Sequence, residues 1–352
     1  MEKIEEYIND IKTLVMENKL KELFGYLYHV KGLYYYYIGN STKAIENYKK
    51  SIKHFHENGQ LIDSIKPMNN IAVIYFDLGQ YDDAMGYYQA ALSIVDRHEV
   101  LNSKYIYLNN IGEIYMDKCE YVKAKDYFEE AREIAIEVED SVGIFLANLN
   151  LGLIYLYTSK CDKAYSCFKT LEKDYNKYKN ISFEVEAQYF RFLGEFYTFF
   201  GKIVEAKKWY LKAIEQFKQY DNSKYLICKS KLAIIQYLTN GKFNKEQFNS
   251  LRKEFKKSGL SYIRRIFLLS LGYIAFIEKD YVYLEDILME DEDLRTTYPA
   301  YNLDLMRKML IYGMKEDENS SNFLIGLEEE MKKRELNILA VMVNIILGNR
   351  TC

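Results

Sequence analysis

Small and apolar residues recur along this chain at helical spacing, and the whole pattern returns with a period of roughly 40 residues, within the range that marks repeat architectures. A small residue followed three places later by tyrosine occurs at Gly32/Tyr35, Ala72/Tyr75, Gly112/Tyr115, Gly152/Tyr155 and Gly194/Tyr197. The first four of these units are evenly spaced, and the fifth comes slightly later. Twelve places after each small residue stands an alanine: Ala44, Ala84, Ala124, Ala164 and Ala206. Four further on is an aromatic: Tyr48, Tyr88, Phe128, Phe168 and Tyr210. Three beyond that come Ser51, Ala91, Ala131 and Ala213, with Leu171 the exception. Offsets of three and four put each set on one helix face. Short breaks such as Ile38-Gly39-Asn40, Leu78-Gly79-Gln80 and Phe200-Gly201-Lys202 separate the two stretches, with glycine supplying a left-handed stop.

The pattern therefore predicts one antiparallel helix pair per unit. Helices approach closely only where side chains are small, so the small residue of the first helix should meet the alanine of the second. The tyrosine should fill the gap beside that crossing, and the second-helix aromatic should pack on the next unit. Pro67 should kink the first helix of its unit or mark its start. Two weaker units follow at Ala233 and Gly272, with Lys245 and Leu284 in place of the alanine and Asn249 and Leu288 in place of the aromatic. An eighth pair is expected over about Tyr301 to Lys333, and a capping helix over Leu336 to Leu347. At the other end Ile4, Ile8, Ile11, Leu14 and Val15 form one stripe, which suits an N-terminal cap. The expected organisation is a capping helix over 1–24, five well-formed units over 25–217, degenerate units over 218–300, and a degenerate unit with its cap over 301–352.

Composition narrows the function. The 352 residues are 49% hydrophobic and 28% charged, as suits a folded soluble protein, and 2 prolines leave little room for disordered linkers. A net charge of −3 gives no global attraction to nucleic acid or an anionic membrane. The acidic start, Met1 to Glu6, lacks the features of a signal peptide, and the apolar stretch Ile266 to Ile277 is too short to span a bilayer. Five cysteines at irregular spacing suggest neither a disulfide framework nor a metal site, so a cytoplasmic location is expected. The 35 tyrosines fit a codon bias toward A and T as well as they fit an aromatic surface.

These small and aromatic positions resemble the tetratricopeptide repeat, whose usual length is about 34 residues. The resemblance implies an all-α, right-handed superhelical solenoid of antiparallel helix pairs, with seven to eight repeats and capping helices. It also implies a concave groove lined by the second, fifth, sixth, ninth, twelfth and thirteenth positions of each unit, counted from seven places before the small residue. Carried onto this chain, that places Lys66, Asn70, Asp77, Asn110, Glu113, Asp117, Asn150, Tyr157, Arg191 and Lys231 in the groove. The sixth positions read Asn70, Asn110, Asn150, then Phe192 and Lys231. An amide both donates and accepts, so successive Asn can hold a peptide backbone regardless of its sequence; the alternative is a solvated or locally bonded Asn. Asp77, Glu113 and Asp117 would meet a basic side chain of a ligand, and Arg191 and Lys231 an acidic group or a C-terminal carboxylate; an ordinary mixed surface is the alternative. The two-carboxylate clamp of related co-chaperones is missing, because Asn does not occupy the ninth positions Leu33, Val73, Glu113, Leu153 and Glu195.

Other clusters point to no chemistry. His54 and His56 lie two apart on a helix and face away from each other, so no metal is expected. The acidic run Glu290-Asp291-Glu292-Asp293 reads as a solvated turn between helices, and Arg252, Lys253, Lys256, Lys257, Arg264 and Arg265 as a solvated helix face. No phosphate-binding glycine loop, nucleophile elbow or zinc-protease motif occurs, so neither catalysis nor a cofactor is expected.

The repeat length, the Asn series and the degraded C-terminal end resemble the peptide-pheromone receptors of Gram-positive bacteria of the Rap and PlcR type. That resemblance implies a sensing module without the helix-turn-helix of some members, because the stretch ahead of the first repeat, 1–24, is too short to hold one. The expected partner is a peptide or protein segment, with no direct nucleic-acid or membrane contact, and self-association is expected through the chain beyond about position 240. A passive assembly scaffold, or the sensor arm of a larger signalling protein, fits the same pattern.

Overall fold

The computed structural model describes residues 2–118, 120–178, 183–218, 222–258, 260–295, 301–315 and 317–333. Among these the α-helices are α1 (Glu2–Glu17), α2 (Phe24–Tyr37), α3 (Ser41–Glu57), α4 (Ile65–Asp77), α5 (Tyr81–Arg97), α6 (Leu101–Asp117), α7 (Tyr121–Glu137), α8 (Ser141–Tyr157), α9 (Cys161–Tyr178), α10 (Phe183–Phe199), α11 (Ile203–Phe217), α12 (Asn222–Asn240), α13 (Lys245–Ser258), α14 (Ser261–Ile277), α15 (Tyr281–Arg295), α16 (Tyr301–Gly313) and α17 (Glu318–Lys333). They run as sequential antiparallel pairs, the arrangement of a tetratricopeptide solenoid. The chain divides into two compact units, residues 1–114 and 115–352, with the division inside α6.

The repeat positions predict the core. Ala44, Ala84, Ala124, Ala164 and Ala206 are all fully buried, as are or nearly are Tyr48, Tyr88, Phe128, Phe168 and Tyr210. The packing partner of the small residue differs from the expectation. A Cβ added at Gly32 would collide with the Tyr48 ring, and one at Gly194 would lie 2.8 Å from Tyr210. In these two units the glycine of the first helix makes room for the aromatic of its own second helix, and not chiefly for the alanine, whereas Gly152 faces Phe192 of the next unit at 2.8 Å. The second-helix ring reaches the next unit as expected: Tyr48 clusters with Ile71 and Ile74, and Phe128 with Leu151 and Ile154. Tyr48 therefore serves two interfaces at once, a reason for its place to hold a ring.

The turns also follow the sequence. Gly39, Gly79 and Gly201 take φ of +76°, +73° and +68°. The amides of Asn40, Gln80 and Lys202 then donate to the carbonyls of Tyr35, Tyr75 and Tyr197, each at 2.8 Å. These bonds close the first helices. Pro67 sits in the first turn of α4, after a 3-10 turn at Ile62–Ser64, so it marks the start of that helix. In α1, Val15 is buried but Ile11 and Leu14 are about half exposed, so the expected capping stripe does not bury as a whole. The expected cap at 336–347 lies outside the described residues.

Three other expectations are corrected. In α13 the buried residues are Phe248, Leu251 and Phe255, so Phe248 takes the aromatic place and not Asn249. Here α12 runs on to Asn240 and joins α13 through 241–244, a connection built differently from the short glycine turns of the regular units, and the register shifts by one. The acidic run lies within α15 and not in a turn, and it is not generally solvated. Asp291 is fully buried, as is Arg265 of α14. Arg265 Nε donates to Asp291 Oδ1 at 2.8 Å, and its Nη2 to Asp304 Oδ1 at 2.9 Å. Glu290 pairs with Arg252 and Arg264, and Glu292 with Arg307 at 2.7 Å. The arginines of the basic stretch are therefore turned inward against these acids, and the solvated-face reading holds only for its lysines. Asp291 occupies the place held by Ser51 in the first unit, where the Ser51 hydroxyl donates to the Gly25 carbonyl at 2.7 Å. Gly25 and Arg265 share one repeat position, so the seventh unit joins its helices by an ion pair where the first uses a hydroxyl.

Candidate functional site

The first helices of residues 1–114 carry a ladder of polar side chains. The Asn70 amide nitrogen lies 3.0 Å from His29 Nε2, and the Asn110 amide nitrogen donates to Asn69 Oδ1 at 3.1 Å. Both bonds run from the sixth position of one unit to the fifth position of the unit before, over 41 residues of sequence. The locally bonded alternative for these Asn is thus realised. One bond uses only part of an amide's capacity of up to four. All four side chains are half-buried.

Burial, with Lys66 nearby, holds the His29 imidazole below its usual range, which favours the neutral ring whose Nε2, in the Nδ1–H tautomer, accepts from Asn70. Lys66 itself is exposed. Asp77 and Glu113 are half-buried and converge on Tyr88. Burial raises the Tyr88 phenol well above its ordinary value, and both carboxylates add to that shift. Glu113 also accepts from Asn109 Nδ2 at 3.3 Å.

The other candidates lie in residues 115–352. Asp117 and Tyr157 are half-buried, and Tyr157 packs on Tyr121 with ring centroids 6.0 Å apart. Asn150 is buried, at 4% exposure, unlike Asn70 and Asn110. Arg191 Nε donates to Gln188 Oε1 at 3.2 Å, and Lys231 Nζ lies 3.3 Å from Glu195 Oε1. The Lys231 charge is therefore partly neutralised by Glu195, itself 9% exposed. The residues that hold these candidates, His29, Asn69, Asn109, Gln188 and Glu195, are not among the groove candidates named from the sequence. The doublets Asn69-Asn70 and Asn109-Asn110, one repeat apart, were the readable signal for two of them.

Among the described residues no group of three or more His, Cys, Asp and Glu could hold a metal ion. No described helix is long and apolar enough to cross a membrane.

Comparison with known proteins defines the class. Two family profiles described as tetratricopeptide repeat match residues 68–102 and 105–176. A Rap protein complexed with competence and sporulation factor shares the fold, with a TM-score of 0.64 and 19% identity over 78% of this chain and 76% of that one. NprR in complex with its cognate peptide NprX gives a TM-score of 0.60 at 15% identity, covering 94% of this chain and 98% of that one. By sequence, the photosystem I assembly protein Ycf3 of Synechococcus sp. (strain WH7803) is 37% identical over 82 residues, which is 23% of this chain. That match spans 44% of the relative's own length. The chain is a tetratricopeptide repeat protein, similar in fold to the Rap and NprR structures.

Proposed function

We propose that this protein is a non-catalytic, cytoplasmic peptide receptor in a signalling or regulatory pathway, binding an extended peptide through the polar faces of its first helices. The observation that carries this reading is the amide ladder, Asn70 to His29 and Asn110 to Asn69. It fixes side-chain amides at repeat spacing on successive helices, where their remaining donors and acceptors suit a peptide backbone. Lys66, Asp77 and Glu113 flank the ladder, and a basic ligand side chain would meet the two carboxylates. In residues 115–352, Asp117, Asn150, Tyr157, Arg191 and Lys231 form the corresponding face, with Arg191 the cation suited to a ligand carboxylate. The fold shared with peptide-bound Rap and NprR structures supports the reading.

Self-association through the region beyond about position 240 belongs to the same proposal, supported by exposed Val282 and Met289 on α15. Light scattering that shows a strict monomer at high concentration would remove it. A passive scaffold for assembly is the second reading, and the local similarity to a photosystem I assembly protein favours it. The deciding experiment is recovery of bound peptides from the native host on the wild type, Asn110→Ala and Asn150→Ala proteins, with identification by mass spectrometry. The receptor reading expects a short peptide on the wild type and depletion on the variants. Equal recovery from all three would remove the ladder from the site.

A further inference from the structure

The helices α11 and α13, the second helices of two successive units, each carry a group of exposed lysines. Lys207, Lys208 and Lys212 on α11, and Lys253, Lys256 and Lys257 on α13, are all exposed. None of the six has an ion-pair partner among the described residues. Some exposed lysines of this chain are paired, as Lys123 is with Glu120 at 2.6 Å and Lys169 with Glu172 at 2.9 Å, whereas others, such as Lys49 and Lys50 on α3, are not. The arginine of α13 behaves oppositely, since Arg252 turns in to Glu290 and Asp286. Sequence at this surface therefore separates inward, paired arginines from outward, unpaired lysines. Between the α11 lysines stands the single tryptophan. Lys208 and Lys212 lie 5.3 and 4.5 Å from the centre of the half-buried Trp209 ring.

The six lysines carry charges that no carboxylate of the described chain pairs, although Glu205 and Glu215 are exposed on α11, and each would be better placed beside a carboxylate. We propose that this lysine face docks an acidic, Glu- and Asp-rich segment of a partner protein, with Trp209 as its apolar anchor. The site is distinct from the first-helix ladder. Two observations favour a protein segment over nucleic acid. The neighbouring second helix, α15, exposes Glu285 and Asp293, besides Asp286, which Arg252 pairs. A duplex carries about one charge per 1.7 Å over its whole length, so one long enough to use both lysine helices would meet those carboxylates. A short acidic segment can end before them. Lysine also supplies point charges without the bidentate geometry that base reading uses.

The test is fluorescence anisotropy with three labelled probes: a twelve-residue Glu/Asp-rich peptide, its Gln/Asn counterpart, and a 20-base-pair DNA duplex. Each is titrated at about 50 and 200 mM salt. The proteins are wild type, the variant K207A/K212A/K253A/K256A, and a control with equal charge loss on α3, K43A/K49A/K50A/K53A. Circular dichroism and melting confirm that all three fold alike. The acidic peptide should bind saturably and weaken with salt. It should lose about tenfold in the α11/α13 variant and less than about twofold in the α3 control. The amide counterpart should not bind. Equal losses in the two variants, no saturable binding of the acidic peptide, or tighter binding of the duplex would each overturn the proposal.

Discussion

Replacing Asp291 by alanine would leave Arg265 buried without its main partner. Both side chains are fully buried, so the pair has lost its hydration and depends on internal contacts. Removing one member of such a pair costs about 3–5 kcal/mol, mostly from the stranded charge. Here Asp304 remains 2.9 Å from Arg265 and is 28% exposed, which softens the loss. The expected destabilisation is therefore at the low end, about 3 kcal/mol. Arg265→Met should cost at least as much, because Arg307 lies 3.5 Å from Asp291 and compensates it less well. The double variant Arg265→Met/Asp291→Leu removes both charges. It restores the apolar residue that this repeat position has as Leu171, so it should be closer to wild type than either single variant. Repeat arrays unfold in parts, so a global melting curve would blur the effect. Hydrogen exchange of the α14, α15 and α16 amides in mild denaturant reads it directly. Single variants within about 0.5 kcal/mol of wild type, the range of ordinary surface substitutions, would refute this account of the pair. So would a double variant as unstable as the sum of the singles.

Three further outcomes are expected. Gly194→Val should destabilise α10 against α11 by about 1–3 kcal/mol, since its Cβ would lie 2.8 Å from the buried Tyr210 ring; chemical denaturation checks it. Gly79→Ala should cost about 1 kcal/mol through its φ of +73°, whereas Gly86→Ala, with open space at its Cβ and no positive φ, should stabilise slightly; hydrogen exchange of the α4 and α5 amides separates them. His29 has its folded pKa held below the unfolded value of about 6.5, first by burial and then by Lys66. The unfolded chain therefore takes up the proton first as pH falls. The contribution is complete above about pH 6.5 and is lost as pH drops toward the lowered folded value. His29→Gln should flatten the fall in stability between pH 7 and 5, and an unchanged slope would contradict the assignment.

The fold was legible because its determinants are local and repeated. Ala44 and Tyr48, or Ala206 and Tyr210, state the second helix by spacing alone, and Gly39 and Gly79 state the turn. What escaped was the partner of each group. Nothing in the string says that Gly32 faces Tyr48, because that requires the crossing geometry. The shift that puts Phe248 in the aromatic place depends on how α12 is joined to α13, which a fixed offset cannot see. Arg265 and Asp291 read as exposed because charges usually are. Their separation of 26 residues equals that of Gly25 and Ser51, and this shared register was the available signal. The ladder was half visible: the sixth-position Asn stood out, while the fifth-position His29 and Asn69 that hold them did not.

Capture of a peptide backbone by the amide ladder is tested most directly by calorimetric titration of the peptide recovered from the host. The proteins are wild type and Asn110→Ala, with a peptide carrying one ester in place of each backbone amide in turn as the second series. The account expects about tenfold weaker binding for Asn110→Ala, and a comparable loss for at least one ester on the wild type that the variant no longer shows. Unchanged affinity for the variant, or ester effects that add in full to that of the mutation at every position, would contradict it.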